Sequence, residues 1–342
     1  MTDQIEVLNV GHGGCTVVRS GEEVHVIDVG NYEALRGALR PAGFRTAAGQ
    51  VAVAPLRITS VVITHLDADH CRGLIRLMTS LDFVIDSVFI NPDLYTWKNS
   101  SEPGFVGCTN SCATICVSQC TLAQRIIRVI HSKATRAKPM TVRPLWQGDR
   151  LAVAELDGVV LWPDYLGEYL DVESLDLAVS RRVDRNRLSI AIKLSFRDSE
   201  VAVLVAGDCT LEAVEASVLA GADWSASVLV FPHHGGSLGA AGGATRVVEL
   251  TSPQQVIFQN GRNQYDLPTQ ESVRAARDAG ATVLCTQLRR ECCSIERDDS
   301  SCAGRVVVDP AKGAVATRVE FSRFIRQIPT GIVRCLTDQP RA

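Results

Sequence analysis

The segment that most restricts the fold is "SVVITHLDADH", where an apolar run ends in a crowd of metal-binding side chains. Residues 61–63 are all β-branched and predict a buried strand. The turn behind this strand carries four potential metal ligands, His65, Asp67, Asp69 and His70. One or two polar residues would cap a strand equally well. The sequence therefore predicts a metal site at the end of a strand.

The spacing of these residues suggests how they would converge. In an extended segment residues 65, 67 and 69 face one side, so three ligands can meet at one point while His70 serves a neighbouring ion. Imidazole and carboxylate ligands suit zinc, and a carboxylate-rich set also admits manganese or iron. Two adjacent ions can activate a bridging water. We therefore expect one or two divalent ions, zinc or manganese, as cofactors.

Three other apolar runs end in the same residue types. "VAVLVAGD" ends at Asp208, "SVLVFPHHGGS" carries His233 and His234, and "VHVIDVG" carries Asp28. Strand ends of α/β folds gather at one edge of the sheet, where sites are usually built. Asp208 has the reach to bridge two ions, whereas Asp28 is expected to hold its loop by hydrogen bonds.

Composition sets the broad class. The 342 residues are 46% hydrophobic and 21% charged, as in a globular protein with a large core. The net charge of −3 provides no global field that draws nucleic acid or a membrane. The sequence shows no secretory signal and no apolar run near the roughly 18 residues that span a bilayer. The twelve cysteines are then expected as reduced thiols in a cytoplasmic protein without membrane contact.

Short β-rich runs punctuated by glycine alternate with single helical segments such as "YEALRGAL", "LEAVEASVLAG" and "QESVRAARDAG". This order predicts an α/β fold in which two sheets pack together with helices outside, as a single domain over residues 1–342. Residues 92–150 break the pattern and are predicted to be a Cys-rich, basic insertion or elaboration.

That insertion carries evenly spaced cysteines, Cys108, Cys112, Cys116 and Cys120. In a helix, steps of four advance about 40° beyond a full turn, so the four thiols cannot all face one ion without bending. Small buried thiols are therefore favoured over a zinc clip. A second group, Cys292, Cys293 and Cys302, could complete such a clip or form a disulfide.

Two basic clusters suit an anionic substrate, nucleic acid included. One consists of Arg181, Arg182, Arg185 and Arg187. The other consists of Arg125, Arg128, Lys133, Arg136, Lys138 and Arg143. In an acidic protein such clusters could hold a phosphate backbone. Solvated faces, whose long side chains cover apolar surface, are the equal alternative.

Taken together, "NVGHGG", "VIDVG", "THLDADH", "LVAGD" and "FPHHGGS" resemble the metallo-β-lactamase superfamily. Within it they are similar to the branch that contains the soluble domain of the ComEC DNA-uptake proteins. The resemblance covers most of residues 4–270 outside the insertion. It implies a four-layer αββα sandwich with metals at one edge of the two sheets, and metal-dependent hydrolysis of nucleic-acid phosphodiesters.

The resemblance also implies roles for individual residues. The implied metal ligands are His65, Asp67, Asp69, His70 and Asp208, with His234 and Asp266 as further candidates. The candidate catalytic residues are Asp69, His233 and His234, the two histidines binding metal, orienting phosphate or protonating a leaving group. The candidate substrate-binding residues at the rim are Arg181, Arg182, Arg185, Asn186, Arg187 and Ser189, of which Asn186 and Ser189 match the family's Asn-x-x-Ser motif.

Two positions depart from the family pattern. Gly14 stands where the family usually has Asp, so a supporting contact is expected to be missing. Leu267 stands where the last histidine ligand is expected, and leucine cannot bind metal. The second metal position is then weak, empty, or rescued by Asp266 or His234.

The leading hypothesis is a metal-dependent phosphodiesterase or nuclease in which a metal-activated water attacks phosphorus. The first alternative is a hydrolase of the same fold acting on a lactone, β-lactam or thioester, for which an apolar cleft is expected. The second is a binding or regulatory module whose damaged metal site no longer turns over, favoured by Leu267 and Gly14. A partner protein is also expected, although no residue identifies it.

Overall fold

The computed structural model describes residues 3–39, 55–90, 140–164, 185–261, 265–286, 305–311 and 313–317, together with 122, 125, 126, 129 and 130. The predicted cysteine groups, Cys108 to Cys120 and Cys292 to Cys302, lie outside the described residues. The same holds for Arg128, Lys133, Arg136, Lys138, Arg181, Arg182 and the side chain of Arg185.

The first sheet contains the strands that lead into the predicted ligand turn. Its described strands are β1 (Gln4–Leu8), β2 (Thr16–Ser20), β3 (Glu23–Ile27), β4 (Leu56–Ile63), β5 (Phe83–Ile90), β6 (Thr141–Pro144), β14 (Arg305–Asp309) and β15 (Gly313–Thr317). Their order is β15-β14-β1-β2-β3-β4-β5-β6. Strands β3 to β6 run parallel, with Ile27 opposite Val62. The carboxyl ends of β3 and β4 therefore share one edge.

The second sheet repeats this arrangement. Its described strands are β7 (Arg150–Val153), β8 (Leu156–Trp162), β9 (Ala191–Phe196), β10 (Ala202–Val205), β11 (Val228–Val230), β12 (Gln255–Phe258) and β13 (Thr282–Cys285). They lie in the order β13-β12-β11-β10-β9-β8-β7, and β10 to β13 are parallel. The carboxyl ends of β10 and β11, which precede Asp208 and His233, thus meet at one edge as well.

Helices cover the outer face of each sheet. The first sheet carries α1 (Tyr32–Leu39), the helical turn α2 (Ala68–Cys71) and α3 (Leu74–Thr79). The second carries α4 (Leu211–Leu219), α5 (Gly243–Thr251) and α6 (Gln270–Asp278). Helices α4 and α6 begin where the N-cap hydroxyls of Thr210 and Thr269 accept hydrogen bonds from backbone N–H groups. No described helix is long and apolar enough to cross a membrane.

Three separate hydrophobic cores define the layers. One joins the first sheet to its helices, through residues such as Leu35, Ile63 and Leu77. The middle core joins the two sheets and contains Ile5 of the first sheet and Ile192 of the second. The third joins the second sheet to α4, α5 and α6. The chain is therefore an α/β protein with a four-layer αββα sandwich, as the sequence predicts.

Candidate metal centre

The first group of candidate ligands, called here the inner cluster, consists of His65, His70 and Asp208. Their ligand atoms lie within 4.8 Å of one another, and all three residues are buried. His70 Nε2 is 3.1 Å from Asp208 Oδ1, and His65 Nε2 is 3.7 Å from Asp208 Oδ2. The edges of the two sheets thus meet at this point, because His65 follows β4 and Asp208 follows β10.

The second group, the outer cluster, consists of His12, Asp69 and His234. His12 Nε2 lies 3.1 Å from Asp69 Oδ2, and His234 Nε2 lies 3.5 Å from the same oxygen. The two clusters adjoin, since His70 Nε2 and His234 Nε2 are 3.1 Å apart. Such an arrangement offers two neighbouring positions for a divalent ion.

Hydrogen bonds on the far side of each ring fix which imidazole nitrogen faces the centre. His70 Nδ1 donates to Asp28 Oδ2 at 2.7 Å, and His234 Nδ1 donates to the Gln259 carbonyl at 2.8 Å. Both acceptors lack a proton to give. His65 Nδ1 lies 3.1 Å from Thr64 Oγ1, whose own proton goes to Asp28. In the neutral form all three rings therefore turn an Nε2 lone pair inward, the tautomer that binds metal.

The charge of the site shows the same preference for a cation. Burial lowers the pKa of His70, but Asp208 and Asp28 outweigh it and hold that pKa well above its ordinary value. Burial and the neighbouring His70 lower the pKa of His65, which stays neutral. Burial raises the pKa of Asp208, yet His70 and His234 draw it well below the usual range. The site therefore favours an added positive charge, since it combines the carboxylates of Asp28 and Asp208 with the imidazoles of His65, His70 and His234.

The residues present fit a divalent ion. His65 is 1% exposed, and its Nε2 has no hydrogen-bond partner among the described residues. Leaving such a buried polar atom unsatisfied costs about 1–3 kcal/mol. An ion between His65 and Asp208 would satisfy it, and imidazole with carboxylate oxygen is a zinc or manganese donor set.

Asp28 supports the inner cluster from behind. It is buried, adopts a left-handed backbone conformation with φ 62°, and accepts hydrogen bonds from Thr64 N and Thr64 Oγ1, each at 2.8 Å. With the bond from His70, its carboxylate joins the β3 and β4 loops. This confirms the prediction that Asp28 holds its loop by hydrogen bonds, and it adds the orientation of His70.

The structure corrects the expectation that Gly14 leaves a contact missing. A Cβ at position 14 would lie 2.7 Å from His70 Nδ1 and 3.0 Å from Asp28 Oδ2. Any side chain there would push apart the pair that orients His70. Gly14 is thus required by close packing, and Asp28 supplies the supporting carboxylate.

The alternation of residues 65, 67 and 69 predicted an extended segment, but the ligand turn is not extended. Asp67 has extended dihedrals, φ −69° and ψ 144°, but residues 68–71 form the helical turn α2. His70 N and Cys71 N both donate to the Asp67 carbonyl, which closes the turn. Because the backbone coils after residue 67, Asp69 and His70 reach different clusters, and one extended face does not hold residues 65, 67 and 69.

Several predicted residues lie at the margin. Asp67 Oδ2 is 4.0 Å from His65 Nε2, at the open side of the inner cluster. His233 Nδ1 donates to the Ser237 carbonyl at 2.9 Å, and His233 belongs to neither cluster among the described residues. Asp266 is exposed and outside both clusters, while Leu267 is buried. The metal-binding role of Asp266 stays a prediction.

Of the predicted rim residues that the structure describes, Ser189 contacts the candidate ligands, whereas Arg187 contacts helix α4. Ser189 is fully buried, accepts a hydrogen bond from Asp208 N at 2.9 Å and lies 3.4 Å from His65 Nδ1. Its hydroxyl therefore helps to position two candidate ligands, and its predicted substrate-binding role stays a prediction. Arg187 forms an ion pair with Glu212 on α4, and Asn186 is half-buried. In the second basic cluster, Arg125 is exposed and Arg143 lies over the Phe89 ring.

His12 is the site residue that the sequence analysis missed. It belongs to "NVGHGG", which contributes to the family resemblance, but no role was derived for it. A histidine between glycines directly after a buried strand is the available signal. It resembles the strand-end pattern of the other ligands.

The αββα sandwich thus brings two adjoining His/Asp clusters to the shared edge of its two sheets. Residues 8–88, from the end of β1 into β5, match the family model Lactamase_B, described as the metallo-beta-lactamase superfamily. The matched segment includes the His65 to His70 turn and Asp28. The match covers less than half of the chain, and the two-sheet sandwich is consistent with the metallo-β-lactamase fold. Curated proteins give no match to this sequence.

Solved structures with a similar course of the chain are distant in sequence. The metallo-beta-lactamase fold protein YhfI from Bacillus subtilis is 10% identical, with 83% of this chain and 96% of that chain covered and a TM-score of 0.43. Zn²⁺-bound PqqB from Methylobacterium extorquens is 11% identical, with coverages of 82% and 97% and a TM-score of 0.42. CmlA, a diiron beta-hydroxylase from Streptomyces venezuelae, is 18% identical, with a TM-score of 0.43. This alignment covers 82% of the present chain and 52% of CmlA.

Proposed function

We propose that the protein is a metal-dependent phosphodiesterase or nuclease that hydrolyses nucleic acid or a nucleotide with water. The observation that carries the proposal is the convergence of three imidazole Nε2 atoms on Asp208 and Asp69, with each Nδ1 engaged behind the ring. This geometry suits ligands whose orientation is fixed before an ion arrives. One or two divalent ions, zinc or manganese, would supply Lewis-acid activation of water and of the scissile ester.

The protein's own residues contribute orientation and a dry environment. His65, His70 and Asp208 would hold one ion, and His12, Asp69 and His234 would hold the other. Asp28 and Ser189 keep His70 and Asp208 in place through the hydrogen bonds described above. The inner ligands are buried, which strengthens electrostatic interactions with a developing negative charge.

An anionic substrate class is supported by where the first basic cluster joins the site. Residues 185–188 form a 3₁₀ turn that leads directly into Ser189, next to the Asp208 backbone. Ile190 N donates to the Thr64 carbonyl at 3.0 Å, so this segment is attached to the backbone immediately before His65. The described end of the run "SRRVDRNR", Asn186 and Arg187, thus lies directly before a residue that contacts the metal centre, and a cationic side chain there could bind a phosphate.

The proposal is tested by incubating the purified protein with manganese or zinc and single-stranded DNA, double-stranded DNA, RNA, cyclic nucleotides and bis(p-nitrophenyl) phosphate. We expect hydrolysis of at least one phosphodiester that requires added metal and is lost in Asp208→Asn. A lactone and a thioester are assayed in parallel, because cleavage of these alone would favour the other hydrolase class. Inertness toward every substrate by a protein that binds metal would instead indicate a binding module.

A further inference from the structure

The second metal position lacks the histidine that the family pattern places at residue 267. We propose that His12, from the loop after β1, is the imidazole ligand of the outer ion and replaces that missing group. The inference rests on the proposed function only in requiring a metal centre. It sets the expected metal content at two ions.

The distances around His12 are those of a preformed ligand set. His12 Nε2, Asp69 Oδ2 and His234 Nε2 lie within 4.8 Å of one another, and His12 Nε2 is 3.1 Å from the carboxylate oxygen. His234 is buried, and its Nε2 faces the same carboxylate at 3.5 Å. Two imidazoles from separate loops therefore approach one Asp69 oxygen, as in a three-residue zinc site with an open position.

The backbone holds His12 and Asp69 in fixed relation. Gly14 N donates to the Asp69 carbonyl at 3.2 Å, and a Cβ on Gly13 would collide with that carbonyl. The Arg72 guanidinium donates to the carbonyl of His12 at 3.1 Å and to that of Gly30 at 2.7 Å. The position of His12 is thus set by contacts with the ligand turn.

The loop around residue 267 contains no histidine in its sequence "GRNQYDLPT". Leu267 is 8% exposed, and its carbonyl accepts a hydrogen bond from Asn260 Nδ2 at 3.0 Å. From this loop the Tyr265 ring approaches the outer cluster, with its centroid 5.0 Å from that of His12. The described part of this loop brings a phenol ring to the outer cluster, and its Asp266 is exposed and outside both clusters, so the imidazole of the outer position comes from the other side of the site.

A simpler role for His12 is an ion pair with Asp69 that involves no metal. The two roles differ in their response to a carboxylate at position 12. As a ligand, an aspartate can replace histidine on zinc or manganese. If residue 12 only pairs with Asp69, an aspartate at this position would repel the Asp69 carboxylate and would be less favourable there than alanine.

The experiment measures metal content and stepwise affinity. Wild type, His12→Ala, His12→Asp and the control His25→Gln, at a histidine outside both clusters, are stripped with a chelator and titrated with Zn²⁺ alone by calorimetry. Bound zinc is then counted by elemental analysis, and circular dichroism verifies the fold. Cobalt titration followed by visible absorption gives a second readout that does not depend on turnover.

We expect two ions in wild type and His25→Gln, and one in His12→Ala, with the second binding step weakened at least about 100-fold. His12→Asp should keep the second ion. Two ions in His12→Ala, one ion in wild type, or loss of the second ion in both folded His12 variants would overturn the assignment. Wild type without any ion would overturn the metal centre itself, a result distinct from failure of His12 alone.

Discussion

The two clusters contain the same residue types, two histidines and one aspartate, but the protein holds them differently. In the inner cluster the side chains are 1–4% exposed, whereas in the outer cluster His12 is 30% and Asp69 19% exposed. Strand ends of both sheets build the inner cluster, and the loop after β1 completes the outer one. The fold therefore fixes one position, while a single loop controls the second and its access to solvent.

The largest expected effect tests whether the clusters are separable. Asp208 lies 3.1 Å from His70 Nε2 and 3.7 Å from both His65 Nε2 and His234 Nε2, so it contacts members of both clusters. Asp208→Asn should remove both ions and lower phosphodiester hydrolysis by more than about 100-fold, because even second-layer changes at metal sites cost about 10- to 100-fold. The exposed Asp223→Asn is the matched control. A fully loaded Asp208→Asn protein would contradict this role.

The second prediction concerns pH. The raised pKa of His70 means that its charged form stabilises the metal-free fold fully below the ordinary value of about 6.5, and that this stabilisation is lost as pH rises through the folded value. An inner ion must displace that proton, so its affinity should increase about tenfold per pH unit below the folded pKa. Burial lowers the pKa of His12, which is therefore already neutral.

Calorimetric titration at pH 6, 7 and 8, in buffers of different ionisation enthalpy, measures both quantities. The inner step should release a proton and strengthen with pH more steeply than the outer step. Equal pH slopes for the two steps would remove this distinction between the clusters.

The third prediction separates orientation from ligation in the inner cluster. Asp28→Asn keeps the size of the side chain but loses the charge that holds His70 Nδ1–H and Thr64 Oγ1–H. We expect the affinity of the inner ion to fall about 10- to 100-fold, with a smaller change at the outer ion. Zinc competition with a chromophoric chelator measures both constants. An equal loss at both positions would show that Asp28 supports the whole site.

The fourth prediction uses a pair of glycines. Gly14→Ala places a Cβ against His70 and Asp28, and overpacking of this kind costs about 1–3 kcal/mol of folding free energy. Gly37→Ala lies in α1 with nothing within 4 Å of its Cβ, and should stabilise the fold by about 0.5–1 kcal/mol. Urea denaturation of the metal-free proteins measures both changes. Similar stabilities would show that the His70 region can yield.

The smallest expected effect concerns the outer loop. Arg72→Ala removes the guanidinium that binds the His12 and Gly30 carbonyls, while leaving every proposed ligand in place. Each such bond to a charged group contributes about 1.5–3 kcal/mol at most, and less when it is solvent-exposed. A few-fold weaker outer ion with an unchanged inner ion is therefore expected. Titration with Mn²⁺ followed by electron paramagnetic resonance gives the two affinities, and a change confined to the inner ion would be the contrary result.

The sequence predicts most of the scaffold because its strands carry local signals. Runs such as "VHVI", "VVI" and "VLV" are short and rich in β-branched residues, and each lies in a strand of the sheet core. The sequence analysis did not identify β14, which follows a segment without clear periodicity. Its position depends on pairing with β1, where Ile5 lies opposite Val308. Such a contact between distant parts of the chain leaves no local pattern to read.

In the candidate site too, local sequence signals predict some residues, while contacts between distant segments decide others. Residue types at strand ends pointed to His65, His70, Asp208 and His234, whose convergence the structure shows although their binding of metal stays a prediction. The pairing of His12 with Asp69 and the packing of Gly14 against His70 were not predictable, because both depend on two loops meeting across the first sheet. The cytoplasmic location also stays a prediction.

By itself the sequence determined the layered α/β architecture, the chemistry of the ligands and the edge at which they gather. β-Branched runs and strand-end polar residues are local features, and burying the runs leaves few alternatives. Only the tertiary structure decided which imidazole joins which carboxylate, which nitrogen turns inward and which glycine must stay bare. Those choices depend on differences of a few tenths of an ångström in the distances between segments far apart in the chain. Close packing sets these distances.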